Sequence, residues 1–206
     1  MEFKTEQEKF WAGEFGNEYI GRNKSAEQLA SNLNFFSKAL YHTGKPNSLI
    51  EFGANIGMNL RAIKLLFPNI EMTGVEINKT ASDELADFLG KENVINTSIF
   101  DYEPTVKYDV SLIKGVLIHI KPEMLSTVYE KLYQSSNKYI LIAEYYNPSP
   151  VTVNYRGHND RLFKRDFAGE LLETYDDLEL IDYGFIYKGD KAFPQDDITW
   201  FLIKKR

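Results

Sequence analysis

The chain has 206 residues, of which 43% are hydrophobic, 26% charged and 14% aromatic, and its formal net charge is −6. That length suits one domain able to bury roughly 70% of its unfolded surface, and the aromatic content is too high for a disordered chain. The absence of cysteine excludes disulfides, thiolate metal sites and a cysteine nucleophile, and the negative charge opposes non-specific nucleic-acid binding.

No apolar run reaches the ~18 residues of a membrane span; Val110–Ile120 is interrupted by Lys114 and His119. The N-terminal MEFKTEQEKFW has no apolar signal segment, so a soluble, cytoplasmic protein with no membrane partner is expected. No repeat or linker is visible. Residues 1–45 read as a helical cap: a helix over Thr5–Trp11, then one over Ser25–Tyr41 with Ser25 as its N-cap. From residue 46 to 206 the pattern alternates strands and helices as a single folding unit. SLIEF (48–52) is a strand running into a glycine turn, and Met58–Phe67 a helix stopped by Pro68. IEMTGVEI (70–77) is the second strand and Lys79–Leu89 the second helix, ended by Gly90. VINTSI (94–99) and DVSLIKGV (109–116) are further strands, Pro122–Gln134 a helix, and YILIAEYY (139–146) the fifth strand. A helix near Asp160–Tyr175 precedes two closing strands, 178–188 and 197–205. Alternation of this kind predicts an α/β fold, a parallel sheet with helices on both faces. The last two strands have no helix between them and are expected to form an antiparallel hairpin.

Glu51-Phe52-Gly53-Ala54-Asn55-Ile56-Gly57 joins the first strand to its helix, beside the place where open α/β sheets bind ligands. Gly53 lets the backbone turn tightly and Gly57 lets the helix pack close. Asn55 stands where a dinucleotide fingerprint has its middle glycine, and Asn is among the few residues that tolerate a left-handed backbone. Glu76 ends the second strand, 25 residues after Glu51, about where an acid hydrogen-bonds a ribose diol. Asp101, beyond the third strand, is either an adenine contact or a turn aspartate. Together these residues suggest an adenosine-containing ligand. A nicotinamide cofactor needs a pyrophosphate site and the middle glycine. S-adenosylmethionine has no phosphate, and Glu51 suits its cationic end.

With E-x-G-x-N-x-G at 51–57, Glu76, and DVSLIKGVLIHI at 109–120, the chain resembles the class I S-adenosylmethionine-dependent methyltransferases. Three further blocks, FWAGEFGNEYIGRN (10–23), YYNPSPVTVNYRGHNDRLFKRDFAGELL (145–172) and FPQDDITWFLIKK (193–205), resemble the pseudaminic acid biosynthesis-associated methylases. The resemblance implies a Rossmann-like, seven-stranded, mostly parallel sheet with an antiparallel last strand. It implies S-adenosylmethionine as donor and S-adenosylhomocysteine as product. Gly53, Asn55 and Gly57 would line the donor's amino-acid portion, Glu76 its ribose and Asp101 its adenine, with Glu51 and Lys114 also on the donor side. The N-terminal segment is either a lid, with Tyr19 or Arg22 meeting the donor carboxylate, or an amphipathic helix on the sheet edge.

The expected acceptor is small and polar, a sugar or nucleotide-sugar of a nonulosonic surface-glycan pathway, methylated on oxygen in preference to nitrogen. His158 is the preferred general base; His119, after the fourth strand, is a second base candidate or a loop-fixing residue. Arg156, Arg161, Lys164 and Arg165 stand against one acid, Asp160, as a phosphate- or carboxylate-binding cluster or a solvated helix face. Tyr145, Tyr146 and Asn147 are expected to wall the same cleft. No metal is expected, since the three histidines are dispersed. The rival functions are a non-catalytic donor-binding sensor or scaffold, and a nucleotide-dependent oxidoreductase. Oligomeric state is left open.

Overall fold

The computed structural model describes residues 3–21, 24–154 and 162–206 of the chain. Thr5 opens α1 (Glu6–Ala12) through a reciprocal capping box with Glu8, and Gly13 ends it. A second short helix, α2 (Glu14–Ile20), follows at once, where the sequence pattern predicts none. Ser25 caps α3 (Ala26–Ala39) as expected, accepting the Gln28 N–H. Next come β1 (Ser48–Phe52), α4 (Met58–Leu66), β2 (Glu71–Glu76), α5 (Lys79–Leu89) and β3 (Val94–Asn96). β3 is shorter than the apolar run suggests, because Asn96 turns its side-chain amide back to the Glu76 carbonyl at 2.8 Å. β4 (Tyr108–Lys114), α6 (Leu125–Ser135) and β5 (Ser136–Glu144) complete the alternating part.

A two-stranded ribbon then forms from β6 (Val151–Thr152) and β7 (Phe163–Lys164). The last helix, α7 (Phe167–Thr174), therefore starts later than expected, at the Asp166 cap. The chain closes with β8 (Leu178–Ile186) and β9 (Ile198–Lys205).

The seven main strands lie in the order β3-β2-β1-β4-β5-β9-β8. The first five are parallel to one another, and β9 runs antiparallel to both β5 and β8. This is the expected mostly parallel sheet with an antiparallel C-terminal hairpin. Period-two alternation sends neighbouring residues to opposite faces. Leu49, Leu112, Leu141 and Leu202 pack with Phe35, Phe36, Leu60, Ile63 and Leu85 of α3, α4 and α5. Ile50, Ile113, Ile142 and Ile203 pack with Leu125, Val128, Leu132, Phe167 and Leu171 of α6 and α7. Each such fully buried side chain contributes about 1.5–3 kcal/mol of transfer free energy. Within the N-terminal segment, α3 packs on one face of the sheet, while α1 and α2 pack on each other and α2 meets α5.

Strand order reverses between β1 and β4, so their carboxyl ends diverge and leave a crevice there. Among the described residues, no helix is long and apolar enough to cross a membrane.

Candidate active site

The crevice is a cleft of about 580 Å³, and its floor is the turn after β1. Gly53, Asn55 and Gly57 all have positive φ, at 73°, 49° and 80°. Gly53 and Ala54 donate their N–H groups to the Val75 carbonyl at 2.9 and 3.1 Å, tying the turn to β2. A Cβ on Gly53 would stand 2.5 Å from Val116 Cγ2, so no side chain fits between turn and β4 loop. Asn55 sustains its left-handed backbone with its own side chain, whose Oδ1 accepts the Ile56 N–H at 2.8 Å. Gly57 does not face the cleft. A Cβ there would strike Leu85 Cδ1 at 2.6 Å, so this glycine serves the packing of α4 against α5.

Glu76 ends β2 at the cleft wall, only 6% exposed. Its Oε2 accepts the Asn55 N–H at 2.7 Å and its Oε1 the Asn78 N–H at 2.7 Å. Burial raises its pKa, and backbone donors from Asn78, Asn55 and Ile77 oppose that shift.

A second group of charges lies deeper. Glu51 is buried behind the cleft wall; its Oε1 accepts Asn59 Nδ2 at 2.6 Å, and its Oε2 has no partner among the described residues. Burial pushes its carboxyl up to about 8, with Asn59 and Lys114 opposing. Asn59 and Lys114 line the cleft in its place. Burial lowers the Lys114 pKa, and Glu51, Asp196 and Glu144 oppose that. Asp196, from the segment before β9, also lines the cleft, as does Glu144 at the end of β5.

α1 and α2 form the near wall, through Thr5, Gln7, Glu8, Trp11, Gly16 and Tyr19. Asn78 fixes them. Its Oδ1 caps α5 at the Ala81 N–H (3.0 Å), while Nδ2 donates to the Trp11 carbonyl (3.1 Å) and Asn17 Oδ1 (2.9 Å). Gly16 must lack a side chain, since a Cβ would lie 2.7 Å from that Nδ2 and 1.9 Å from the Trp11 carbonyl oxygen. Trp11 also packs at a tilt against His119, with ring centroids 4.8 Å apart, and His119 is buried and lines the cleft. Glu8 bonds Ser98 Oγ, joining α1 to the wall formed by Thr97, Ser98, Ile99 and Phe100.

Of the residues singled out in the sequence, Gly53, Asn55, Glu76, Lys114, Tyr19, His119 and Tyr145 line this one cleft. Asp101 does not: it is paired with Lys4 at 2.5 Å, outside the lining. Tyr146 and Asn147 also fall outside it. Tyr146 turns to Phe201, with ring centroids 5.9 Å apart, and Asn147 closes a turn on the Ser149 carbonyl. β5 ends at Glu144, short of the Tyr146 to which the apolar run extends, and both side chains leave the wall as the strand stops. Arg22, Arg156, His158, Asp160 and Arg161 lie outside the described residues. Sequence reasoning missed Asn59, Asn78 and Glu144. For Asn78 the signal was present, as an N-cap residue directly before a helical run.

No family model and no curated protein matches the chain, so the resemblance to the pseudaminic acid-associated methylases rests on the sequence blocks alone. Solved structures do match. The 1,6-didemethyltoxoflavin-N1-methyltransferase of Burkholderia thailandensis, holding S-adenosylhomocysteine, superposes with a TM-score of 0.70 at 15% identity over 97% of this chain and 86% of that one. The magnesium protoporphyrin IX methyltransferase of Synechocystis, with S-adenosylmethionine bound, gives 0.67 at 10% identity over 100% of both chains. Mitomycin 7-O-methyltransferase gives 0.67 at 14% identity over 98% of this chain and 61% of that longer one. The chain has the Rossmann-like fold of class I methyltransferases.

Proposed function

We propose that this protein transfers a methyl group from S-adenosylmethionine to a small polar acceptor. The observation that carries this reading is Glu76, held at the mouth of the cleft by N–H groups from the glycine turn and from Asn78. A carboxylate has about four acceptor positions; the Asn55 and Asn78 N–H groups take one on each oxygen and the Ile77 N–H adds a third donor, which leaves capacity for a ribose hydroxyl. Ile77, Ile99 and Phe100 offer an apolar wall for adenine. Gly53 lets the amino-acid portion lie against bare backbone, with the Asn59 side chain lining the cleft nearby.

A dinucleotide fits less well. Its pyrophosphate needs free N–H groups at this turn, yet the Asn55 N–H is already given to a carboxylate.

The bound donor supplies a methyl carbon already activated by its sulfonium. The chain's own residues align the acceptor and exclude water. Trp11 and Tyr19 of α1 and α2 act as a lid over the donor, latched by Asn78. His119 and Tyr145 meet the acceptor. The likeness of the 145–172 block to sugar-pathway methylases supports a sugar or nucleotide-sugar acceptor, with oxygen as the methylated atom. Calorimetric titration of the protein with S-adenosylmethionine, S-adenosylhomocysteine and NAD tests the reading. The first two bind and the third does not; binding of NAD alone overturns it.

A further inference from the structure

Glu144 closes β5 beside Lys114, whose register partner is the preceding residue, Ala143. It lines the cleft and is 2% exposed. Its Oε1 accepts the Val116 and Leu117 N–H groups at 2.8 and 2.9 Å, which holds the loop after β4. Its Oε2 is buried and has no hydrogen-bond partner among the described residues. A buried carboxylate oxygen left unmatched is costly, so this one calls for a donor from a bound molecule. The Val116 and Leu117 bonds to the loop both use Oε1.

We propose that Glu144 is the base of the methyl transfer, receiving on Oε2 the proton of the acceptor's O–H or N–H group. The assignment rests on the methyltransferase reading above. As the acceptor atom bonds to the methyl carbon, the carbon–sulfur bond breaks and its electron pair goes to sulfur, which becomes a neutral thioether. The acceptor proton passes to Glu144. One positive and one negative charge are lost together, so net charge is conserved.

The surroundings suit a proton exchanged near neutrality. Lys114 of β4 is its charged neighbour, Tyr129 of α6 feels its charge, and Asp196, Tyr145 and His119 are further titratable groups of the same cleft lining. Burial raises the Glu144 carboxyl to about 7, against the N–H groups of Val116, Leu117 and Ile118 and the charge of Lys114.

A test needs no acceptor. S-adenosylmethionine differs from S-adenosylhomocysteine by one methyl group and one positive charge at sulfur. If Glu144 faces that sulfur, its ionised form favours the charged ligand, and by linkage the preference must rise with pH. Calorimetry of both ligands from about pH 5.5 to about pH 8.5 is expected to show that preference growing about fivefold or more in the wild type. In Glu144→Gln, whose amide oxygen still caps the loop, the preference is expected to be flat. Parallel curves in wild type and Glu144→Gln, or a flat wild type, overturn the assignment. If thermal melting shows that the Gln variant does not fold, Glu144→Asp draws the carboxylate back by one methylene and must show a smaller rise; an equal rise overturns it. Failure of the wild type to bind either ligand overturns the methyltransferase reading itself, and the base with it.

Discussion

The backbone N–H of Asn55 donates to Glu76 Oε2 at 2.7 Å, joining the turn after β1 to the last residue of β2. One carboxylate thereby shapes the turn and faces the cleft. The left-handed backbone of Asn55, at φ 49°, presents that N–H.

Asn55 is therefore replaceable by glycine but not by a β-branched residue. Asn55→Val adds a second branch at Cβ in the left-handed region and removes the Oδ1 acceptor of the Ile56 N–H, and is expected to cost about 1–2 kcal/mol, while Asn55→Gly stays near the wild type. For a domain of this size that is a fall in Tm of about 2–8 °C, read by thermal denaturation. Equal melting of the two variants would contradict the turn described here.

Asn78→Ala removes both the cap of α5 and the latch on α1 and α2. The cap alone is worth about 1 kcal/mol. Amide exchange in residues 5–20 is expected to accelerate far more than exchange in β4 or β5, because those strands are held independently of the latch. Affinity for S-adenosylmethionine is expected to fall with it. Unchanged exchange in 5–20 would mean that Asn78 does not hold the lid.

The buried acids set a pH dependence of stability. Glu51 has its pKa raised from 4.5 to about 8, so between those values the folded state binds more protons than the unfolded chain. Stability then falls as pH rises through that window. A tenfold difference in proton affinity between the two states corresponds to about 1.4 kcal/mol, so Glu51 alone withdraws several kcal/mol by the upper end of the window. Glu51→Gln keeps a carbonyl for Asn59 and removes the titration. Urea denaturation of the two proteins at about pH 5 and about pH 8 is expected to show the variant losing less stability on going to the higher pH. An identical loss in both would exclude Glu51 as its source.

Much of the fold was legible because local and tertiary signals agreed. Lys79–Leu89 has Asn78 as its cap and Gly90 as its stop, and it forms over those residues. α2 was not legible. Its seven residues include Gly16, Asn17 and Glu18, and part of its hold comes from Asn78, some sixty positions away. In the site, Gly53 and Glu76 could be read from their spacing, since a parallel βαβ unit brings those positions together whatever lies between them. Asp101 had the right chemistry, but the chain turns at Asn96 and leaves Asp101 beside Lys4. Glu144 carried no motif. Its meaning comes from the loop after β4 folding back to meet it.

The most direct measurement is the affinity for S-adenosylmethionine of the wild type and of Glu76→Ala, by calorimetry under one set of conditions. Loss of charge-assisted hydrogen bonds to a ribose is expected to cost ~1.5–3 kcal/mol, a ten- to hundredfold weakening. A change below about threefold, with melting showing the variant folded, would remove Glu76 from the donor site and contradict the account of the cleft.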